Sequence, residues 1–355
     1  MQVLSKLKAA KQVIGQPWFR LLDPFGSIVD EAIRRAEEKE KKNSSTNGKS
    51  RAASQRLLPL ACPIDAALIE PQLSIDLELG RGIKGRKFNA STIPWKGGYA
   101  TAFRLVANGD DNVYVSIRDA ALNELSYHRL EFNHRMASHR REDPRFFWHA
   151  GGWWISIIGV QAEVKWVANQ LHAALDDNLR VVPGSVRCAD YAARAFWEKN
   201  WGFFDHDGAL YAIYSIAPHT VLKIDGSNAT EIDRHDWQPS WTGGLLRGGA
   251  APVRVGGDEY YSFFHGRVAI RGVNYYATGC YTFSATPPFR PLRLTPKPFL
   301  VPPPDGWSKK NLSVLFTCGA FLQDGRWVLT HGVHDQHTRL DWLAADEVER
   351  RLVSA

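Results

Sequence analysis

Five times along the chain a glycine-containing turn lies between two short runs of aromatic and β-branched residues. The segments span 88–104, 142–157, 198–216, 247–266 and 315–335, and their turns fall near Gly97, Gly151, Gly208, Gly256 and Gly325. A tight turn between apolar runs needs backbone at positive φ, so each segment predicts a β-hairpin. A repeat of about 50–70 residues is the spacing of β-propeller blades rather than of helical repeats. The expected fold class is therefore all-β: a five-bladed β-propeller over residues 61–355, with an N-terminal helical extension over residues 1–60.

Polar residues recur at the ends of these hairpins. Asn89, Asp143 with Arg145, and Lys199 with Asn200 precede the turns; Arg104, Ser215, His265 and Asp335 follow them. The inner strands of a propeller converge on one channel, so equivalent offsets in different blades meet in space and can build one pocket. The plainer alternative is that each is a strand-end residue facing solvent.

At 355 residues the chain has room for one large all-β domain and an appendage. Its formal charge is 44 − 37 = +7, and residues 1–60 alone carry 12 − 6 = +6, leaving about +1 for the rest. A nearly neutral folded domain argues against nucleic acid as a partner, since that would want a basic face. Cys62, Cys188, Cys280 and Cys318 are far apart and form no CxxC pair, so neither a disulfide framework nor a zinc ribbon is expected. His331, His334 and His337 are spaced by three, which does not put them on one face of a strand. No metal and no cofactor are expected.

The first sixty residues differ in kind. Val3, Leu4, Leu7, Ala10, Ile14 and Trp18 make one helical stripe with Lys6, Lys8 and Lys11 elsewhere around the helix. A second, highly charged helix is expected over 27–42, followed by a flexible linker over 43–55. The stripe suits packing on a blade, dimerisation through residues 1–25, or peripheral contact with an anionic membrane surface. Lys6, Lys8 and Lys11 leave no apolar segment of the secretory type, and a cytoplasmic location is expected.

The segment EDPRFFWHAGGWWISI (142–157) resembles the β-mannoside phosphorylase family of five-bladed glycoside hydrolases, and the related mannosyltransferase/phosphorylases that build β-1,2-mannan. The resemblance covers roughly residues 85–345. It implies that Asp143, in its Asp-Pro-Arg stretch, is the general acid. It implies sugar binding by Asn89, Ser91 and Arg104, and by Asp335 at the end of Gly332-Val333-His334-Asp335. It assigns phosphate binding to Lys199 and to His265 of the Phe-His-Gly stretch, with Arg145 beside the acid. The chain departs from the family in having Asn200-Trp201 after Lys199, and Ala250-Ala251 before the fourth hairpin.

The chemistry divides on the nucleophile. Inverting attack by water needs a second carboxylate as base, for which Glu198 and Asp335 are available. Attack by phosphate needs no base but requires cations and donors to hold its charge. Arg145, Lys199 and His265 favour an anionic co-substrate: phosphate, a sugar phosphate or a nucleotide sugar, alongside a sugar or oligosaccharide. An inverting glycoside hydrolase and a non-catalytic carbohydrate-binding propeller stay open as alternatives.

Overall fold

The computed structural model describes residues 62–108, 110–161, 167–304 and 312–354. The chain divides into two units, Met1–Leu58 and Pro59–Ala355. The helices, stripe and linker expected over residues 1–60 lie outside the described residues.

Nearly everything described is strand. After β1 (Leu73–Leu77), the first meander holds β2 (Arg86–Trp95), β3 (Gly98–Ala107), β4 (Asp110–Arg118) and β5 (Glu124–Arg129). The second holds β6 (Arg140–His149), β7 (Gly152–Val160), β8 (Ala168–Ala174) and β9 (Arg187–Cys188). The third comprises β10 (Asp190–Tyr191), β11 (Gly202–His206), β12 (Ala209–Ser215), β13 (His219–Asp225) and β14 (Asn228–His235), with β10 parallel to β14. In the fourth, β15 (Leu245–Gly248) and β16 (Val253–Val255) share β17 (Glu259–Ile270) as partner, followed by β18 (Val273–Ser284) and β19 (Pro291–Leu294). The fifth runs through β20 (Leu312–Gln323), β21 (Arg326–Val333) and β22 (His337–Ala344), and β1 completes it, Leu73 lying opposite Trp342. A short parallel pairing of β18 with β20 joins the last two meanders in one sheet. A five-residue helix, α1 (Ala345–Glu349), and β23 (Val353–Ser354) end the chain.

All five expected hairpins form, and the backbone shows why. Each turn has two successive residues at positive φ: Lys96–Gly97, Ala150–Gly151, Asp207–Gly208, Gly256–Gly257 and Asp324–Gly325. That conformation matches the twist of the flanking strands, and glycine adopts it without strain.

Successive meanders share apolar cores. Ile93, Phe146 and Ile155 lie in one cluster; Phe147, Trp201 and Phe203 in a second. Phe204, Phe264 and Tyr281 belong to a third, and Phe263, Leu315 and Trp327 to a fourth. A fifth core joins the last meander to the first through Phe103, Phe321, Val328 and Leu340. Burial of apolar surface thus links every meander to the next and the fifth back to the first, with β1 fastening the closure.

Candidate active site

The site is made where the first strand of a meander breaks its own ladder. In β2 the register shifts between Phe88 and Ser91, with Asn89 at φ 51°. In β6 it shifts between Glu142 and Arg145, with Asp143 at φ 52°. Asn200, just ahead of β11, has φ 65°. An irregularity of this kind re-aims one side chain out of the pleat. Here it brings three polar residues from three meanders together. Asn89 Nδ2 donates to Asp143 Oδ1 at 2.8 Å, while Asn200 Oδ1 accepts from Arg145 Nη2 at 3.0 Å. Gly332 makes room for the first contact, because a Cβ there would overlap Asn89 Oδ1.

Three carboxylates converge on one guanidinium. Arg104 grips Asp111 in a bidentate pair at 2.7 and 2.6 Å, and reaches Glu142 at 3.0 Å and Asp143 at 3.2 Å. Burial works against the charge of Arg104, but Glu142, Asp143 and Asp111 outweigh it and raise its pKa. Three carboxylates crowded around Arg104, with Arg140 3.8 Å from Glu142 at the edge, cannot all ionise freely. Burial, with Asp143 and Asp111 close by, pushes Glu142 well above the usual carboxylate range despite Arg104. On Asp143 both named bonds fall on Oδ1.

A second pole is cationic. Lys199 loses basicity mainly through burial, with Arg247 and Arg267 adding to the loss and Asp143 and Glu142 opposing it. Arg247 on β15 lies opposite His265 on β17, and Arg267 lies opposite Tyr276 on β18. Side chains alternate across a strand, so Arg247, His265 and Arg267 share one face of the fourth sheet. Arg267 is braced by Asn274 Oδ1 at 3.1 and 3.0 Å. Among the described residues, neither Lys199 nor Arg247 nor Arg267 forms an ion pair with a carboxylate.

The structure corrects the reading of several residues. His265, counted with the cations and donors, is fully buried; desolvation first, then Arg145, Arg247 and Lys199, pushes its pKa far down, so it is neutral at pH 7. Its ring stacks on Tyr276, and its Nδ1 has no partner. Arg145 is a strut: Nε donates to Gly249 O at 2.5 Å, Nη1 to Asp143 O at 3.2 Å and Nη2 to Asn200. Most of its donors are therefore spent on the fold. Ser91 stands apart from the cluster, its Oγ accepting the Phe146 N–H at 3.1 Å. Asp335 comes to the same end as Asn89, its carbonyl accepting from Arg86 Nη1 at 2.8 Å. Glu198, the alternative base, is engaged by Trp201 Nε1 at 2.8 Å, Tyr214 Oη at 3.2 Å and the Ala195 N–H. Ser215 Oγ donates to Pro218 O at 2.5 Å within its own turn. Arg247, Arg267, Asp111 and Glu142 are members that the hairpin offsets missed. Arg247 opens the fourth hairpin segment and Glu142 the second, which was the available signal.

Several solved structures share this architecture. One belongs to the GH130 family of mannoside phosphorylases, described as containing glycoside hydrolases that target β-1,2 mannosidic linkages in Candida mannan. Its TM-score is 0.56 at 14% identity, over 73% of this chain and 84% of that one. The β-1,2-mannobiose phosphorylase of Listeria innocua matches with TM-score 0.58 at 13% identity, over 77% and 94% of the two chains. A GDP-Man-dependent mannosyltransferase of Leishmania mexicana matches with TM-score 0.51 at 14% identity, over 78% and 90%. The likeness is one of fold. It agrees with the resemblance read from the motifs. No protein-family model matches the sequence, and no curated protein matches it.

Proposed function

We propose that this chain is a carbohydrate-active enzyme of five-bladed propeller form, an inverting glycoside phosphorylase or glycosyltransferase acting on β-mannosides with a phosphate-bearing co-substrate. The observation that carries the reading is the pairing of two poles: a carboxylate cluster around Arg104, and beside it Lys199, Arg247 and Arg267 without carboxylate partners among the described residues. Unpaired cations this close to one another repel, and an anionic ligand relieves the repulsion. The five shared cores support the blade count, and the structural neighbours support the sugar class. Residues 61–355 are the catalytic domain in this reading; residues 1–60 form a separate tail of a cytoplasmic protein.

In the degradative direction, Asp143 Oδ2 gives its proton to the glycosidic oxygen as the bond from that oxygen to C1 breaks. A phosphate oxygen forms the new bond to C1 from the opposite face, giving a sugar 1-phosphate and a free hydroxyl. In synthesis the same carboxylate takes the proton from the acceptor hydroxyl. Arg104 and Asn89 hold Asp143 in place. Lys199, Arg247 and Arg267 bear the phosphate charge, and neutral His265 offers a hydrogen bond. Glu198, one of the two candidate bases for hydrolysis, is occupied by its bonds to Trp201 and Tyr214, which favours phosphate as the nucleophile.

A donor screen tests this: mannose 1-phosphate and GDP-mannose, each with mannose and short β-mannosides as acceptor. The reading expects chain extension from one donor, with inversion and release of phosphate or of the nucleotide diphosphate. Free mannose from β-mannosides at equal rates with and without phosphate would replace it with hydrolysis.

A further inference from the structure

The inner strands continue past the catalytic cluster to their turns, and at that end a cavity of about 340 Å³ opens. Every meander contributes to it, through Ser91–Ile93, Phe146–Trp148, Phe204 to Asp207, Ala251–Arg254 and Ala320–Phe321. None of Asn89, Asp143, Lys199, Arg247 or His265 lines it. The cavity begins within two residues of the cluster, at Ser91 and Phe146, and continues toward the turns. This volume lies near the lower end of the about 300–1,000 Å³ usual for small-molecule sites.

Its walls are aromatic and its rim is acidic. Trp148 leaves half its surface open, 51%, in a protein that otherwise buries Trp201 and Trp327 completely. The ring is held edge-on to Trp153 at 5.3 Å between centroids, so a flat apolar face is offered in a fixed orientation. Asp207 stands at the rim with 78% of its side chain exposed, 3.8 Å from Arg254. Arg254 is steadied by two hydrogen bonds to Gly257 O at 3.0 and 2.8 Å. Asp205 is locked to His149 Nδ1 at 2.6 Å and to the Gly208 N–H at 3.1 Å. Two carboxylates and one guanidinium stand at the rim, with His149 bonded to Asp205 and His206 Nε2 3.3 Å from Asp207 Oδ2. That balance rejects a phosphate or a nucleotide, the opposite preference to the catalytic pole. A neutral ring with an apolar face and several hydroxyls is the ligand that matches an aromatic wall with one solvent-exposed carboxylate acceptor and one placed donor.

We propose that this cavity is a second, non-catalytic site for a neutral sugar ring, the end unit of an oligosaccharide, held by Trp148 and Asp207. The choice of mannosides as probes rests on the function proposed above; the site itself does not.

The test is calorimetric titration of the full chain with β-mannobiose and, separately, cellobiose, in wild type, Trp148→Ala and Asp207→Asn. Asn tolerates the left-handed turn position, which keeps that variant foldable. Weakening of disaccharide binding by about tenfold in either variant supports the site. So does quenching of tryptophan emission by either sugar that disappears in Trp148→Ala. Turnover of a short donor and acceptor pair should stay at the wild-type level in both variants. Wild-type affinity and stoichiometry in both variants, or no disaccharide binding by wild type, overturns the proposal. Binding dependent on Trp148 in a chain inactive with every donor would leave this site standing while removing the catalytic reading.

Discussion

The two poles of the candidate active site handle charge in opposite ways. Around Arg104, three carboxylates are matched to one guanidinium at 2.6–3.2 Å, and the excess negative charge is absorbed by lifting the pKa of Glu142. On the fourth sheet, Arg247 and Arg267 stand with Lys199 and no carboxylate pairs with them among the described residues. Desolvation lowers the basicity of Lys199 and Arg247, and among the described residues no carboxylate pairs with either. In the function proposed above, the open side is where the anionic co-substrate binds.

The comparison breaks first at Asp143. Asp143→Asn keeps the shape and the contact with Asn89 but loses the transferable proton, and turnover of an unactivated mannoside should fall by about 10²–10⁴-fold. A nitrophenyl leaving group needs less protonation and should lose less. Equal losses on both substrates in steady-state kinetics would deny Asp143 the role of acid.

Removing the hub of the acid pole comes next. Arg104→Met removes the guanidinium that Asp111, Glu142 and Asp143 share, and breaking such a buried arrangement costs about 3–5 kcal/mol. Chemical denaturation should report a loss of that order at pH 7. It should shrink as the pH is lowered, because protonation removes the uncompensated charges of the carboxylates. A loss independent of pH would mean that packing, rather than charge, makes Arg104 important.

The cation pole gives a smaller, separable effect. With the basicity of Lys199 lowered by desolvation and by Arg247 and Arg267, the free enzyme loses that proton at lower pH than an unperturbed lysine at about 10.4. The KM for the phosphate substrate should therefore rise on the alkaline side earlier than an unperturbed lysine would allow, with kcat changing less, since bound phosphate holds the proton on. In Lys199→Arg the rise should vanish, because a guanidinium stays charged. His265 is already neutral at pH 7, so no step in KM belongs to its titration between pH 6 and 8.

Much of the fold could be read from the chain because turn chemistry is local. Each of the five hairpins announces itself through a glycine at positive φ. Asn89, Asp143 and Asn200 could be aligned by their shared offset from those turns, and the structure gives all three the same left-handed backbone. Arg267 could not be found that way: it joins the site through its position on β17, two residues beyond His265 on the same face, which only strand pairing defines. Ser91, two residues past Asn89, accepts the Phe146 N–H of the next meander, a contact that its offset from the turn does not announce. The fate of Glu198 was hidden because Trp201 and Tyr214, its hydrogen-bond donors, read as core aromatics in the sequence. Residues 1–60, with the stripe from Val3 to Trp18, lie outside the described residues, and their expected helices stand as expectations.

The most direct test of the open cation pole is calorimetric titration of inorganic phosphate into the full chain, comparing wild type with Lys199→Ala. Saturable binding by wild type, weakened in the variant by about 1–3 kcal/mol, is the predicted result for loss of one charge-assisted contact. Phosphate binding of equal strength in both proteins, or none in wild type, would contradict it.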